Sequence, residues 1–318
     1  MSRRPLRTVR PALLALGVLL GGVGAVAGAF RPAGVGGGGT PPADTLRVLF
    51  VGNSYTYYHD VPALVEAISR SVEGPRIRSG AFTAGGRTLR EHLADARLPG
   101  ALRSGPDGAA GTAGGAGVGP GRGAGGWDRV VLQEQSLLGT EVVDPRTGRL
   151  GEPVGFVSAA EVLARMVREA GAEPVLYMTW ARERFPGQVA DLAAAYHRVG
   201  RRIGAPVAPV GIAWARARRE RPELDLFQPD GSHPSAAGSY LAACVLYAAL
   251  TGRSPEGAAA RIRGGSWDGP TAWAKALHLL GLPRTVTLVS LEPEVAGYLQ
   301  RLAWEVARAE RSGPEGPR

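Results

Sequence analysis

Strand-like and helix-like segments alternate along most of the chain. Five segments have the length and residue pattern of strands: Leu46–Val51, Arg76–Thr83, Arg129–Gln133, Pro174–Thr179 and Val207–Ile212. Five others have the apolar spacing or the length of helices: Val61–Val72, Thr88–Ala96, Ser158–Ala170, Val189–Ile203 and Ser235–Leu250. Alternation of this kind predicts a parallel sheet with helices on both faces, a three-layer α/β/α sandwich of about five strands.

The remaining segments suggest how the chain is organised around one domain. Two more helical stretches, Thr271–Leu280 and Pro293–Ala309, are expected to pack outside the same core. Residues 31–44 read as a flexible linker, and a segment rich in Gly and Ala at 104–126 is expected to be a disordered surface loop, since it contains too little apolar surface to offset its ordering entropy. We therefore expect one domain over residues 45–309, followed by a loose tail at 310–318.

Composition excludes several classes of protein. Of 318 residues, 44% are hydrophobic and 20% charged, as in globular domains. The net charge is +9, but the arginines are scattered and no platform of aromatic and basic residues accompanies them, so we expect no nucleic-acid partner. Cys244 is the only cysteine, which excludes an internal disulfide and a thiolate metal cluster.

The N-terminus has the layout of a secretory signal peptide. Four arginines within the first ten residues precede an apolar stretch at Ala12–Phe30, and Ala25-Val-Ala27 supplies an A-x-A cleavage signal. Residues 1–30 are therefore predicted to direct export to the periplasm or the extracellular space. An uncleaved anchor is the alternative, and it would be the only membrane contact that the sequence predicts.

Two polar motifs fall where a parallel sheet binds its ligands, beyond the carboxyl ends of the strands. Ser54 follows the first predicted strand, after a tight turn allowed by Gly52. Asp230 and His233 lie three residues apart in a turn before the last long helix, with Ser235 as its predicted N-cap. A serine nucleophile needs a base, and that base needs a carboxylate to fix its tautomer. The alternative for each motif is ordinary turn chemistry or a solvent loop.

Together these motifs resemble the SGNH hydrolase superfamily, the GDSL-like esterases and lipases. Gly52-Asn-Ser54 matches the first block of that family and Asp230-x-x-His233-Pro the last; Ala84-Gly85-Gly86 matches the glycine block. Where the family has Gly-x-Asn-Asp after the third strand, this chain has Gln133-Glu-Gln135-Ser, so Gln135 or Gln133 would replace the asparagine. The resemblance covers residues 45–252 approximately and agrees with a sandwich whose strands follow a flavodoxin-like order.

The resemblance implies an exported esterase that works through an acyl-enzyme. His233, oriented by Asp230, would deprotonate Ser54, and the backbone N–H groups of Ser54 and Gly86 with a glutamine amide would form the oxyanion hole. Two alternatives stay open: an acyltransferase with the same triad, and a non-catalytic glycan-binding protein of the same fold.

Three further residues are candidates for contact with substrate. Trp180, after the fourth strand, is expected either to stack on a sugar ring or to be a packing residue; the first possibility, with export, favours substituted carbohydrate such as O-acetyl sugars over lipid or simple esters. Asn53 and His59 flank the Ser54 turn and are expected to line the same pocket, although His59 also fits an exposed turn. No metal-ligand spacing appears, so neither a metal nor another cofactor is expected.

Overall fold

The structure, a computed structural model, describes residues 45–106, 126–265 and 285–313. Its strands in chain order are β1 (Thr45–Gly52), β2 (Arg76–Thr83), β3 (Arg129–Leu132), β4 (Val142–Asp144), β5 (Arg149–Leu150), β6 (Glu173–Tyr177), β7 (Val207–Ala208), β8 (Arg261–Gly265) and β9 (Thr285–Ser290). Its helices are α1 (Ser54–Tyr57), α2 (Val61–Ser71), α3 (Leu89–Leu93), α4 (Leu98–Ser104), α5 (Val154–Glu169), α6 (Gln188–Ile203), α7 (Val210–Glu220), α8 (Ala236–Thr251) and α9 (Pro293–Ser312), and a 3-10 turn at Tyr58–Asp60 follows α1.

The central sheet has five parallel strands in the order β2-β1-β3-β6-β7. Its alternating side chains explain the continuous apolar run of β1: Val48 and Phe50 enter the core on one face, and Leu49 and Val51 enter the core on the other. Helices α2, α7, α8 and α9 cover the first face, and α3 to α6 cover the second. The three-layer sandwich and its flavodoxin-like strand order are therefore confirmed.

Helix α8 lies at the centre of the first layer. Every residue from Gly238 to Ala248 is buried, because α2 packs on one side of the helix and α9 on another. A helix that is apolar all round is typical of such a position. Cys244 lies in this helix with no exposed surface, and burial raises the pKa of its thiol, as expected for a small packing residue.

The segment after α6 differs from the prediction. Val207–Ile212 was expected to be one strand, but the strand stops at Ala208 and α7 begins at Val210. Pro209 is the physical reason, since it has no N–H for the ladder and is well tolerated at a helix start. The first turn of α7 is tied to the end of β6, because the N–H of Gly211 donates to the carbonyl of Met178 at 3.1 Å.

The C-terminal region adds elements that the sequence pattern did not predict. Strands β8 and β9 pair antiparallel and contribute Ile262 and Leu288 to the core on the α8 face. Helix α9 was predicted, but it extends to Ser312, into the segment expected to be loose. The signal segment 1–30, the linker 31–44, most of the 104–126 insert and the helix at 271–280 lie outside the described residues. Within those described, no helix has the length and apolar character needed to span a membrane.

Candidate active site

Ser54 is the first residue of α1 and lies at the carboxyl edge of the sheet. Strand β1 ends at Gly52, where a side chain has no room: a Cβ atom would lie 2.5 Å from both Gln133 Oε1 and Thr56 Oγ1. Asn53 caps α1, since its side-chain oxygen accepts the N–H of Tyr55 at 3.1 Å. The chain thus turns sharply from strand to helix and presents Ser54 beyond the sheet edge.

The last motif meets Ser54 across 179 positions of sequence. His233 Nε2 lies 2.9 Å from Ser54 Oγ, and His233 Nδ1 hydrogen-bonds the carboxylate of Asp230. The other carboxylate oxygen, Oδ1, accepts the backbone N–H groups of Ser232 and His233, both at 2.9 Å. A carboxylate at Nδ1 places the imidazole hydrogen there, which leaves the Nε2 lone pair directed at the serine hydroxyl.

The charge of Asp230 is maintained although part of the group is buried. Burial opposes its ionisation, but the hydrogen bonds from His233 and from the two backbone N–H groups outweigh burial and lower its pKa. The side chain of Asp230 remains 49% exposed and that of His233 28% exposed. Asp230 is therefore ionised at neutral pH and able to stabilise a protonated imidazole.

The loop that carries His233 is anchored by aromatic residues below it. Trp180 Nε1 donates to the carbonyl of Ser232 at 3.0 Å, and the Tyr55 hydroxyl lies 2.7 Å from Ser232 Oγ. The Trp180 ring stacks on Tyr55 with centroids 4.3 Å apart and on Trp214 of α7 with centroids 4.0 Å apart. With no exposed surface, Trp180 has no free face for a sugar ring. The packing alternative is correct, and Trp180 holds the loop in place.

Asn53 and His59 also differ from their predicted roles. Asn53 is 2% exposed, and its side chain bonds Tyr55, Arg87 and Gln133. His59 lies in the 3-10 turn and contacts α8, where its Nδ1 is 2.9 Å from Ser239 Oγ. Burial lowers the pKa of His59 to about 4, so its imidazole is neutral. Asn53 shapes the nucleophile turn and His59 packs beneath it; neither lines a pocket as predicted.

Two backbone N–H groups near Ser54 have no hydrogen-bond acceptor among the described residues. In the first turn of α1, the N–H groups of Tyr55, Thr56 and Tyr57 all bond to Asn53, whereas that of Ser54 does not. The second belongs to Gly86, in the turn after β2, where φ is +70° and the space on the Cβ side is open. These are the two backbone groups that the sequence predicted for an oxyanion hole.

The two glutamines of the third block are not equivalent. Gln133 is buried, and its Nε2 donates to Asn53 Oδ1 at 3.0 Å and to the carbonyl of Glu134 at 2.6 Å, which uses both amide hydrogens. Gln135 donates one amide hydrogen to Ser136 Oγ at 3.2 Å. Among the residues described, its second hydrogen has no acceptor, so Gln135 can serve as a donor and Gln133 cannot.

No protein-family model matches the chain, and no curated protein matches it. Several solved structures are similar. A DUF4886 family protein from Bacteroides uniformis is 17% identical, covers 83% of this chain and 95% of its own, and has a TM-score of 0.53. A protein assigned as an SGNH hydrolase from Slackia heliotrinireducens is 26% identical over 64% of this chain and 97% of its own, with a TM-score of 0.44. An acetyl xylan esterase, AlAXEase, is 12% identical over 64% of this chain and 100% of its own, with a TM-score of 0.45.

The strand order, with Ser54 after β1 and the Asp230–His233 turn before α8, is the arrangement that the sequence blocks predicted. The chain has a three-layer α/β/α fold of the SGNH-like type.

The sequence analysis missed a buried carboxyl group in the candidate active site. Glu134 is 1% exposed and accepts the backbone N–H groups of Leu89 at 3.2 Å and of Gln135 at 2.6 Å. Burial raises its pKa to about 7, although those two hydrogen bonds act in the opposite direction. Glu134 thus joins the loop after β3 to the start of α3, which follows the Gly86 turn. Its position between the two glutamines was the available signal.

Two tyrosines of the candidate active site were also missed. Tyr57 and Tyr58 follow Ser54 by three and four positions, which puts all three on one side of the chain's first helical turn. The Tyr58 ring stacks on His233, and the Tyr57 hydroxyl lies over the turn that contains Gly85.

Among the described residues, no three His, Cys, Asp or Glu side chains are grouped to hold a metal ion. A cavity of about 530 Å³ lies near the ends of α6 and α8 and is not lined by Ser54 or His233.

Proposed function

We propose that the protein is a serine hydrolase that cleaves carboxylic esters through an acyl-enzyme. The observation that carries the proposal is the 2.9 Å separation between His233 Nε2 and Ser54 Oγ, with Asp230 bound to the opposite nitrogen of the same imidazole. The nucleophile is hydrogen-bonded to the base, and the base to the carboxylate that orients it. Acyl transfer from an ester requires this geometry.

In the first half-reaction, Ser54 Oγ attacks the ester carbonyl while His233 Nε2 takes its proton. The electron pair of the carbonyl moves to oxygen, and the N–H groups of Ser54 and Gly86, with the second amide hydrogen of Gln135, stabilise that charge. Asp230 stabilises the imidazolium. His233 then gives the proton to the leaving alcohol as the carbon–oxygen bond breaks, leaving the acyl group on Ser54.

In the second half-reaction, water replaces the alcohol. His233 removes a proton from water as it attacks the acyl carbon, and the same N–H groups hold the oxyanion. Collapse of this intermediate releases the acid and returns the proton from His233 to Ser54 Oγ. A transferase would follow the same steps with an acceptor hydroxyl in place of water.

The proposed substrates are esters presented outside the cytoplasm, with O-acyl groups on carbohydrate ahead of lipid or simple esters. Export is inferred from the pattern of residues 1–30. Trp180 does not contribute a contact to a sugar ring, because its own ring is buried. The half-buried side chains of Tyr57 and Tyr58, beside Ser54, are the aromatic groups left to contact a substrate ring.

The test is hydrolysis of a short-chain aryl ester by the wild type, Ser54→Ala and His233→Ala. Each substitution is expected to lower kcat by at least about 10³-fold. His197→Ala is the matched control, because His197 pairs with Glu310 away from the site. Labelling of Ser54 by a fluorophosphonate, lost in Ser54→Ala, would separate an enzyme from a non-catalytic binding protein. Release of free acid without an added acceptor would separate hydrolysis from transfer; no release and no labelling would overturn the proposal.

A further inference from the structure

The proposed oxyanion hole has two backbone donors, but neither glutamine near it has an amide that is free of other hydrogen bonds. Gln133 has used both amide hydrogens on Asn53 and Glu134. Gln135 has a hydrogen to give, but its amide is fixed at both ends: Nε2 bonds Ser136 Oγ at 3.2 Å, and Oε1 accepts the N–H of Leu137 at 2.7 Å. A tetrahedral oxyanion is best held by several donors that already point at it. Another donor near Ser54 and the Gly86 turn would therefore contribute directly to the reaction.

Tyr57 has the position for such a donor. It follows Ser54 by three residues in α1, so the two side chains lie on the same face of the helix. Its hydroxyl is 3.3 Å from where a Cβ atom of Gly85 would be, which puts it above the turn leading to Gly86. Tyr57 Oη thus lies beside the glycine turn, and Tyr57 shares a face of α1 with the nucleophile.

The chemistry of the phenol fits the same role. Burial raises the pKa of Tyr57 above its ordinary value, with the interaction with Ser54 a smaller opposing effect, so the hydroxyl is protonated throughout the neutral range. A hydroxyl hydrogen rotates to suit its acceptor. The group can therefore face Ser54 Oγ in the resting site and the carbonyl oxygen once Oγ has bonded to the acyl carbon.

We propose that Tyr57 Oη is a further donor of the oxyanion hole, beside the backbone N–H groups of Ser54 and Gly86 and the amide of Gln135. This inference rests on the proposed ester hydrolysis. The phenol gives a hydrogen bond and keeps its proton: the proton of Ser54 goes to His233, and the negative charge on the former carbonyl oxygen is shared among these donors. The alternative is that Tyr57 is only a wall of the site, shaping the space for the acyl group.

The test is Tyr57→Phe, which keeps the ring and removes only the donor. For a short-chain aryl ester we expect kcat to fall by about 10²-fold, with KM within a few-fold of the wild type, because the bond forms only with the oxyanion. The dissociation constant of a boronic acid that forms a tetrahedral adduct on Ser54 should rise by a comparable factor. A wall residue would instead change KM and the preference for acyl length, with similar effects on substrate and adduct.

Two variants make the result decisive. Tyr298→Phe is the matched control, since it removes a phenol hydroxyl of α9 that bonds Glu220 of α7, and it should leave kcat unchanged. Gln135→Ala tests the competing donor. An unchanged kcat and adduct affinity in Tyr57→Phe, with the whole loss in Gln135→Ala, would overturn the role of Tyr57 alone. Absence of activity and of Ser54 labelling in the wild type would instead overturn the esterase proposal on which it rests.

Discussion

The ring of Tyr58 lies flat against the imidazole of His233, with centroids 4.4 Å apart and planes inclined by 15°. An aromatic face in this position restricts rotation of the imidazole, and it attracts the cation that forms when His233 takes a proton. Asp230 fixes the imidazole from its edge and Tyr58 from its face. The base is thus oriented by two contacts at right angles to each other, only one of which is polar.

Removal of the Tyr58 ring should weaken this orientation. Tyr58→Ala is expected to lower kcat for an aryl ester by roughly tenfold, on the scale of 1 to 2 kcal/mol for an aromatic contact to a cation. Tyr58→Phe keeps the ring and should stay within about threefold of the wild type. Equal losses in the two variants would contradict a role for the ring face and would point to the hydroxyl.

Neutralising Asp230 should lower kcat strongly, even though half of its side chain is exposed to solvent. In Asp230→Asn the side-chain amide favours the imidazole tautomer with hydrogen on Nε2, which cannot accept the proton of Ser54. We expect kcat to fall by about 10³–10⁴-fold with little change in KM. Asp225→Asn, five positions earlier in the same loop region, is a control. A loss below tenfold in Asp230→Asn would mean that the tautomer is fixed by another group.

Trp180 is expected to matter for stability more than for substrate affinity. Trp180→Phe keeps an aromatic ring but loses the 3.0 Å bond to the carbonyl of Ser232 and leaves a cavity. The free energy of unfolding, measured in urea, should fall by about 2 kcal/mol. KM for sugar and non-sugar esters should change by the same factor. A selective rise in KM for sugar esters, with unchanged stability, would restore the stacking role that the structure argues against.

Glu134 should make stability depend on pH in the neutral range. Its pKa of about 7 in the folded protein lies above the ordinary value of 4.5, so the folded state binds this proton more tightly than the unfolded state. The stabilisation is complete below about pH 4.5 and is lost as pH rises through 7. From pH 5 to pH 8 the wild type should lose on the order of 2–3 kcal/mol more unfolding free energy than Glu134→Gln.

The comparison isolates Glu134 because Asp60 and His59, whose pKa values are also shifted, are present in both proteins. Glu169→Gln, on the exposed face of α5, should follow the wild-type curve. Parallel curves for the wild type and Glu134→Gln would show that the buried carboxyl has the same pKa in the folded and unfolded states.

Most of the fold and the central part of the site could be predicted from the sequence. An unbroken apolar run indicates a buried strand such as β1. Ser54 and His233 both lie in turns, and a parallel sheet places such turns at the carboxyl edge of its strands. Helix α7 was missed because Val207–Ile212 is apolar throughout and periodicity does not separate a short buried strand from a buried helix start. Pro209 was the signal that decided between them.

The errors at the site have one cause. Trp180, Asn53 and Gln133 all follow strand ends, where the sequence correctly puts them near the site, but whether such a residue faces solvent depends on partners distant in sequence. Trp214, on a helix that was not predicted, stacks on Trp180. Asn53 and Gln133, 80 positions apart in sequence, are hydrogen-bonded to each other. Position along a strand is a local property, whereas exposure is decided by packing.

The stacked rings of Tyr55, Trp180 and Trp214 also determine how the site responds to strain. Tyr55 is the chain neighbour of Ser54, while Trp180 holds the carbonyl of Ser232, the chain neighbour of His233. Nucleophile and base are therefore both attached, through their chain neighbours, to one column of three stacked rings in the core on the α8 face. A thermal excursion or a distant substitution that shifts the column carries both partners along, so their separation is preserved even when their position is not.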